Sequence, residues 1–378
     1  MSGLSQVCIH NIRCVKKAEF TLHPDFTLFY GQNGSGKTSL LEALHLLSLA
    51  RSFRTPNINK VISDHSSSCS IGAEFMDDTG LERKLIVGRS RDGETRIQID
   101  HQSIQTSAEL TALLPVRVIS QESHSLLDGP SKGRRQLIDW LAFHVEPQFN
   151  QCWGTTQRLL KQRNALLKNN VFRHAELLSW DRELAQQSEK LNTQRQAVFE
   201  IFNVQFQKLL SDLLPASPLS LRLYQGWPEH HGSLQDCLSA CVEQDRKLGY
   251  TQHSPNRADI VIKQGNKLAA ECLSRGQKKL LVYALALAQI QTLSLLLKEQ
   301  NRFIKILVLI DDIGAELDAK NQNLLLEALT RCNSQVVITG TELNWLYDTL
   351  GQGKCKMFHV EQGVPTPTPH LINWSKHS

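Results

Sequence analysis

The chain has 378 residues, 41% of them apolar and 21% charged, with a net charge of +5 and a pI near 8.7. That composition is ordinary for a soluble globular protein, the length allows two domains or one with a large insertion, and the mild basicity permits nucleic-acid binding without arguing for it. Met1 to Val15 hold no long apolar stretch and no apolar run reaches about 18 residues, which argues against a secretory signal and a membrane span.

Residues 1–30 read as short strands at Val7–Ile9, Ala18–Leu22 and Thr27–Tyr30, with a Pro24-Asp25 turn before the third. Residues 38–53 switch to a helical pattern so rich in leucine that little polar face remains, so this helix should be buried on most sides. Further strands are expected at Ser70–Phe75, Arg83–Val87, Thr95–Ile99 and Val116–Ile119, with turns at Asp78-Thr79-Gly80 and Asp92-Gly93. From Gly129 the texture changes. Residues 131–210 have few glycines, many Gln, Arg and Lys, and apolar residues three and four apart, as in packed helices. The excess positive charge is concentrated there. Turns or linkers are expected at Pro215–Pro218 and Gly226–Pro228. Residues 255–378 return to an α/β texture: a long helix from Arg275, a buried strand at Ile304–Ile310, a helix near Asn321–Leu329, a strand at Gln335–Thr339 and a loose tail over Val364–Ser378.

The nine cysteines are scattered, and an odd number suggests reduced thiols and a cytoplasmic setting. Cys237 and Cys241 stand one helical turn apart, half a metal site at most. With no second ligand pair at zinc spacing they read as buried small apolar residues.

The sharpest motif is Gly31-Gln32-Asn33-Gly34-Ser35-Gly36-Lys37-Thr38, a match to G-x-x-x-x-G-K-[ST] between a strand and an apolar helix. Its glycines let the backbone curl so that several N–H groups point at one phosphate, and the following helix adds its positive end. Lys37 would reach the β- and γ-phosphates of ATP, and the Thr38 hydroxyl would ligate Mg²⁺. The run Ile306–Ile310 followed by Asp311-Asp312 reads as a buried parallel strand with carboxylates at its carboxyl end, where α/β ligand sites form. Asp311 would hold Mg²⁺ and Asp312 would polarise the attacking water. Leu273-Ser274-Arg275-Gly276-Gln277 precedes the long helix, with Ser274 placed as its N-cap and its backbone N–H groups as an anion site.

Together these three elements resemble the ABC ATPase set: Walker A, the L-S-x-G-Q signature, and Walker B, followed by a D-loop at Ala315-Glu316-Leu317-Asp318. That resemblance implies that Ser274, with Gly276 and Gln277, contacts in trans the γ-phosphate held by Lys37 of a second chain, and hence a nucleotide-dependent homodimer. The gap between Walker A and signature is too long for most transporter ATPases and too short for an SMC protein with long arms, and it contains no sustained heptads.

Within the ABC class the chain resembles the RecF family over nearly its whole length. The residues that carry this are Asn11-Ile12-Arg13, Leu41-Glu42-Ala43, Arg51-Ser52-Phe53-Arg54, Leu126-Leu127-Asp128-Gly129, Arg134-Arg135-Gln136-Leu137-Ile138-Asp139-Trp140, Lys161 to Leu167 (KQRNALL), Trp180-Asp181 and Arg257-Ala258-Asp259. The resemblance implies a DNA-binding ATPase of replication, recombination and the SOS response, with RecR and RecO as mediator partners. It also implies an α/β, ABC-type P-loop head with an inserted, mostly helical second lobe: ATPase residues 1–125, helical lobe 126–250, and ATPase residues 251–378. The chain departs from the family pattern at Gln121, where a Pro is usual. A Gln after a central strand fits either the Q-loop residue that senses Mg²⁺ and γ-phosphate or a polar residue of a surface loop. Transporter ATPases place a His after the last core strand, where Ile338-Thr339-Gly340-Thr341 offers only Thr, and Asp312 stands where they have Glu. The shorter acid suggests slow hydrolysis.

DNA contact should come from basic side chains meeting phosphates without reading bases. The candidates are Lys132, Arg134, Arg135, Arg158, Lys161, Arg163 and Lys168, some of which could instead bridge the two domains. Double-stranded or junction DNA is the expected target. The competing readings are a transporter-type ATPase that ignores DNA and a scaffold that uses ATP only to dimerise.

Overall fold

The structure, a computed structural model, describes residues 3–77, 79–104, 106–120, 125–169, 174–313, 319–351 and 353–368. The chain forms two compact units. One comprises Met1–Glu122 with Ser294–Ser378 and the other Ser123–Leu293.

The first unit holds two six-stranded sheets. In one, β1 (Gly3–Ile12), β2 (Val15–Thr21), β4 (Ser68–Met76), β5 (Glu82–Ser90), β6 (Thr95–Ile99) and the short β7 (Gln102–Ser103) pair antiparallel in the order β2-β1-β4-β5-β6-β7. β4 alternates buried and less buried residues, as a sheet covered on one face should. The other sheet runs β15-β14-β3-β13-β12-β8, from β3 (Phe26–Tyr30), β8 (Val116–Ile119), β12 (Ile306–Ile310), β13 (Ser334–Gly340), β14 (Cys355–Glu361) and β15 (Val364–Pro367). All its pairings are parallel except that of the β14–β15 hairpin. β12 and β13 are buried at every position, which is why they read as unbroken apolar runs. Helix α1 (Lys37–Leu49) packs its leucines into the same core as Val7, Ile9, Ile71 and Val87. It ends at Ala50, whose φ of 51° takes the left-handed cap.

β14 lay outside the sequence reading, and the loose tail expected from Val364 is corrected over its first residues. Val364–Pro367 pairs with Phe358–Glu361 through a two-residue turn at Gln362-Gly363. Both turn residues have positive φ, 47° and 80°, as a tight hairpin of matching twist requires.

After the short helices α2 (Ser107–Leu113) and α3 (Ser125–Asp128), the second unit is mostly helical: α4 (Ser131–Val145), α5 (Phe149–Leu167), the 40-residue α6 (His174–Leu213) and α7 (Leu234–Leu248). β9 (Ser220–Tyr224), β10 (Asp259–Gln264) and the short β11 (Lys267–Leu268) form a small antiparallel sheet. The β9–β10 pairing draws residues past 250 into this unit, so its end falls at Leu293 and the Ser274 segment belongs to it. The helix Arg275–Glu299 has the length and hydropathy of a membrane span, yet 72% of its apolar window is buried inside the protein, as in a core helix. Its buried Gln289 donates from Nε2 to the Leu137 carbonyl at 2.9 Å, and the Thr292 hydroxyl donates to the Ala288 carbonyl at 2.6 Å.

Several basic candidates turn out to be internal ties. Arg163 is fully buried and donates to Asp181 and Asp245, both at 2.6 Å, and to Thr251 at 2.8 Å. Arg134 grips Asp259 with two bonds of 2.8 and 2.9 Å and also reaches the Leu126 and Gly129 carbonyls. Arg135 donates to the Asn256 carbonyl and lies 3.6 Å from Asp139. Arg163, fully buried, therefore leaves the list of DNA contacts, whereas Arg134 and Arg135 are half-buried and held by partners within the second unit. An arginine that satisfies carboxylates in a dry interior has no charge to offer a phosphate outside. Lys132, Arg158, Lys161 and Lys168 remain exposed.

Candidate functional site

The P-loop leaves β3 at Tyr30 and enters α1 at Lys37. Its glycines are required by geometry. A Cβ on Gly31 would stand 2.5 Å from the Val360 carbonyl, and one on Gly36 would stand 2.8 Å from Gly363 Cα; φ at these positions is 151° and 105°. The loop is thus seated against the β14–β15 turn, and the Gly363 N–H donates to the Ser35 carbonyl at 2.7 Å.

Lys37 is buried, and its Nζ donates to the Gly31 and Gln32 carbonyls at 2.7 and 2.8 Å, which holds the ammonium over the loop. Burial lowers its affinity for the proton, against the pull of Asp312 and Asp311. Gln32, Asn33 and Gly34 are exposed. The Ser35 hydroxyl is buried and finds no hydrogen-bond partner among the described residues, so the loop keeps a donor for a ligand.

Register explains how the acids arrive. β13 lies between β3 and β12, with Ile338 opposite both Leu28 and Ile310. The carboxyl ends of all three strands meet at one edge of the sheet, where the loop begins. There the Thr38 hydroxyl donates to Asp311 at 3.0 Å. Thr339 donates to the same Asp311 oxygen at 2.8 Å and accepts the Asp312 N–H at 2.9 Å. Asp312 takes a left-handed φ of 55°. A hydroxyl and a carboxylate converging from two elements suit a hard divalent cation such as Mg²⁺, which takes few protein oxygens and completes its shell with phosphate and water. The donor set therefore fits the expected metal.

Thr339 was read in the sequence only as the absence of a His. Its part in aligning both aspartates shows only once β13 is placed between β3 and β12. Three family strings also meet beside the loop. The buried Glu42 carboxylate accepts two bonds of 2.8 Å from Arg13 and one from the Ser52 hydroxyl, with Arg54 at 3.6 Å. This ties the segment after α1 back onto the helix that carries Lys37 and Thr38.

At the signature, the Gln277 N–H donates to Ser274 Oγ at 3.3 Å while Ser274 N–H donates to Gln277 Oε1 at 2.9 Å, a reciprocal capping box. Ser274, Arg275 and Gly276 are exposed at the start of a 25-residue helix. Gln121 and the Ala315–Asp318 segment lie outside the described residues.

The sequence matches the RecF/RecN/SMC N terminal domain over residues 3–366. It is 40% identical to the DNA replication and repair protein RecF of Stutzerimonas stutzeri (strain A1501), over 96% of this chain and 97% of that protein. It is 37% identical to the protein of the same name from Pseudomonas fluorescens (strain Pf-5), over 97% and 98%. Among solved structures, the fold is similar to that of the recombination mediator protein RecF-ATP in the RecFOR pathway, with a TM-score of 0.83 and 23% identity over 97% of this chain and 99% of that one. It is less similar to the Smc head domain of Pyrococcus furiosus bound to the C-terminal domain of ScpA, with a TM-score of 0.58 and 18% identity over 97% and 96%.

Proposed function

The chain belongs to the RecF family of ABC-type ATPase heads, and on that premise we propose that it is an ATP-driven clamp of recombinational repair and replication. ATP binds on the Gly31–Thr38 loop, with Lys37 on its terminal phosphates and Mg²⁺ held by Thr38 and Asp311. Asp312 polarises the attacking water, and Gln121 senses the γ-phosphate. Ser274, with Gly276 and Gln277, completes the site in trans, so that two chains close together.

The closed homodimer grips double-stranded DNA or a single-strand gap or junction through phosphate contacts from Lys132, Arg158, Lys161 and Lys168. It acts with the mediators RecR and RecO in the cytoplasm. Slow, DNA-stimulated hydrolysis reopens it. One observation carries the reading: the shared hold of Thr38 and Thr339 on Asp311, beside a buried Ser35 hydroxyl without a partner among the described residues. That arrangement suits a metal-and-phosphate site, in which the P-loop hydroxyl and the strand-end Asp hold the cation.

The test is DNA retention and ATP turnover with and without ATP and DNA, for wild type and Ser274→Arg. ATP-dependent, salt-sensitive DNA retention that is lost in the variant supports the clamp. Fast turnover indifferent to DNA would favour a transporter-type engine. Dimerisation with no turnover would favour a scaffold.

A further inference from the structure

Cys237, Cys241 and His253 bring their ligand atoms within 4.8 Å of one another. We propose that these three side chains form a site for a zinc-class cation that locks the loop after α7 onto that helix.

The two cysteines stand four apart on α7, and therefore on one face one turn apart. Cys237 is fully buried, whereas Cys241 and His253 are half-buried. The arrangement is dry at one end and open to solvent at the other, which gives a metal an entry path and leaves a fourth position for water. Two thiolates and an imidazole are soft and borderline ligands and select zinc over Mg²⁺ or Ca²⁺.

His253 is held from both sides. The Thr251 N–H and hydroxyl both donate to Asn164 Oδ1, at 2.8 and 2.7 Å. The Gln252 N–H and side-chain amide both donate to Asp245 Oδ1, at 3.0 and 3.1 Å. Ser254 N–H donates to the Gly226 carbonyl at 3.2 Å. Asp245 follows Cys241 by one more helical turn and is fixed by Arg163 at 2.6 Å. The loop that presents the imidazole is thus tied to the helix that presents the thiols, so the ligands are brought together without metal. A bound cation would add a further tie to a loop whose next residues, Asn256 to Asp259, hold Arg134 and Arg135. The sequence alone did not suggest this, because His253 follows Cys241 by an irregular loop rather than at helical spacing.

The test uses the full chain, loaded with Zn²⁺ or with Co²⁺ as a spectroscopic probe. We expect one Zn²⁺ per chain at this site, a thiolate-to-cobalt charge-transfer band, and a raised thermal midpoint in the loaded form. Cys241→Ser and His253→Ala, both at half-buried positions, should weaken metal binding roughly 10- to 100-fold or more and remove the band, while Cys272→Ser, at an exposed cysteine, should leave both unchanged. An oxygen-bound cobalt at the Thr38 and Asp311 site would give no such band, so the two sites are distinguished. Absence of the band in wild type, or its persistence in both site variants, would overturn the proposal.

Discussion

Thr38 and Asp311 stand 273 residues apart in sequence, yet the Thr38 hydroxyl donates to both oxygens of the Asp311 carboxylate, at 3.0 and 3.2 Å. The contact joins the start of α1 to the end of β12, and Thr339 fixes it from the strand between. Asp311→Asn should therefore cut ATP turnover by about two to three orders of magnitude, the usual loss for one preorganised electrostatic group, with ATP binding less affected. Thr339→Val should lower turnover in the same direction and cost about 1–3 kcal/mol of stability, because it orphans the part-buried Asp312 N–H. Steady-state hydrolysis and denaturant unfolding of the two variants check this.

Gly363 supports the P-loop from behind. A Cβ there would lie 3.0 Å from Val15 Cγ2, at a φ of 80°. Gly363→Ala should destabilise the first unit by about 1–3 kcal/mol and weaken ATP binding, because the Gly363 N–H bond to Ser35 would shift. Nucleotide titration beside thermal unfolding separates the two effects.

The basic residues of the second unit should divide into two classes. Arg163→Ala leaves Asp181 and Asp245 buried without their cation, at a cost of about 3–5 kcal/mol. Arg158→Ala with Lys161→Ala should leave the unfolding midpoint unchanged. It should reduce the slope of log affinity for DNA against log salt by about 2, one for each lost phosphate contact.

The chemistry of the loop was legible in the sequence because it is local. The glycines, Lys37, Thr38 and the apolar run into Asp311 each sit inside one short segment, and the strands around them declare themselves by unbroken burial. What depends on pairing between distant segments was not legible. Thr339 matters because β13 is inserted between β3 and β12. Gly363 matters because β14 and β15 return beside the loop. The arginines of α4 and α5 carry the same charge in sequence whether they face solvent or a buried carboxylate. Only Asp181, Asp245 and Asp259, brought in from far along the chain, decide which.

His45, on the P-loop helix, is buried and donates from Nδ1 to the Arg51 carbonyl at 2.8 Å. Burial lowers its pKa to about 4. The unfolded chain takes up this proton near pH 6.5 and the folded one only near 4. Stability is therefore whole above pH 6.5, falls as the pH drops between these values, and levels off below 4, by at most ~3 kcal/mol. In His45→Asn the drop in unfolding free energy between pH 7 and pH 5 should shrink, although the variant starts from a lower stability.

In the proposed clamp, one chain's P-loop is completed by Ser274 of another. The most direct measurement is sedimentation velocity of wild type and Ser274→Arg with and without ATP and Mg²⁺, alongside nucleotide binding to each. Wild type should become a dimer on adding ATP. Ser274→Arg should bind ATP through its intact Lys37 loop and stay a monomer. A Ser274→Arg chain that dimerises with ATP as wild type does would contradict it, as would a wild type that binds ATP and remains a monomer.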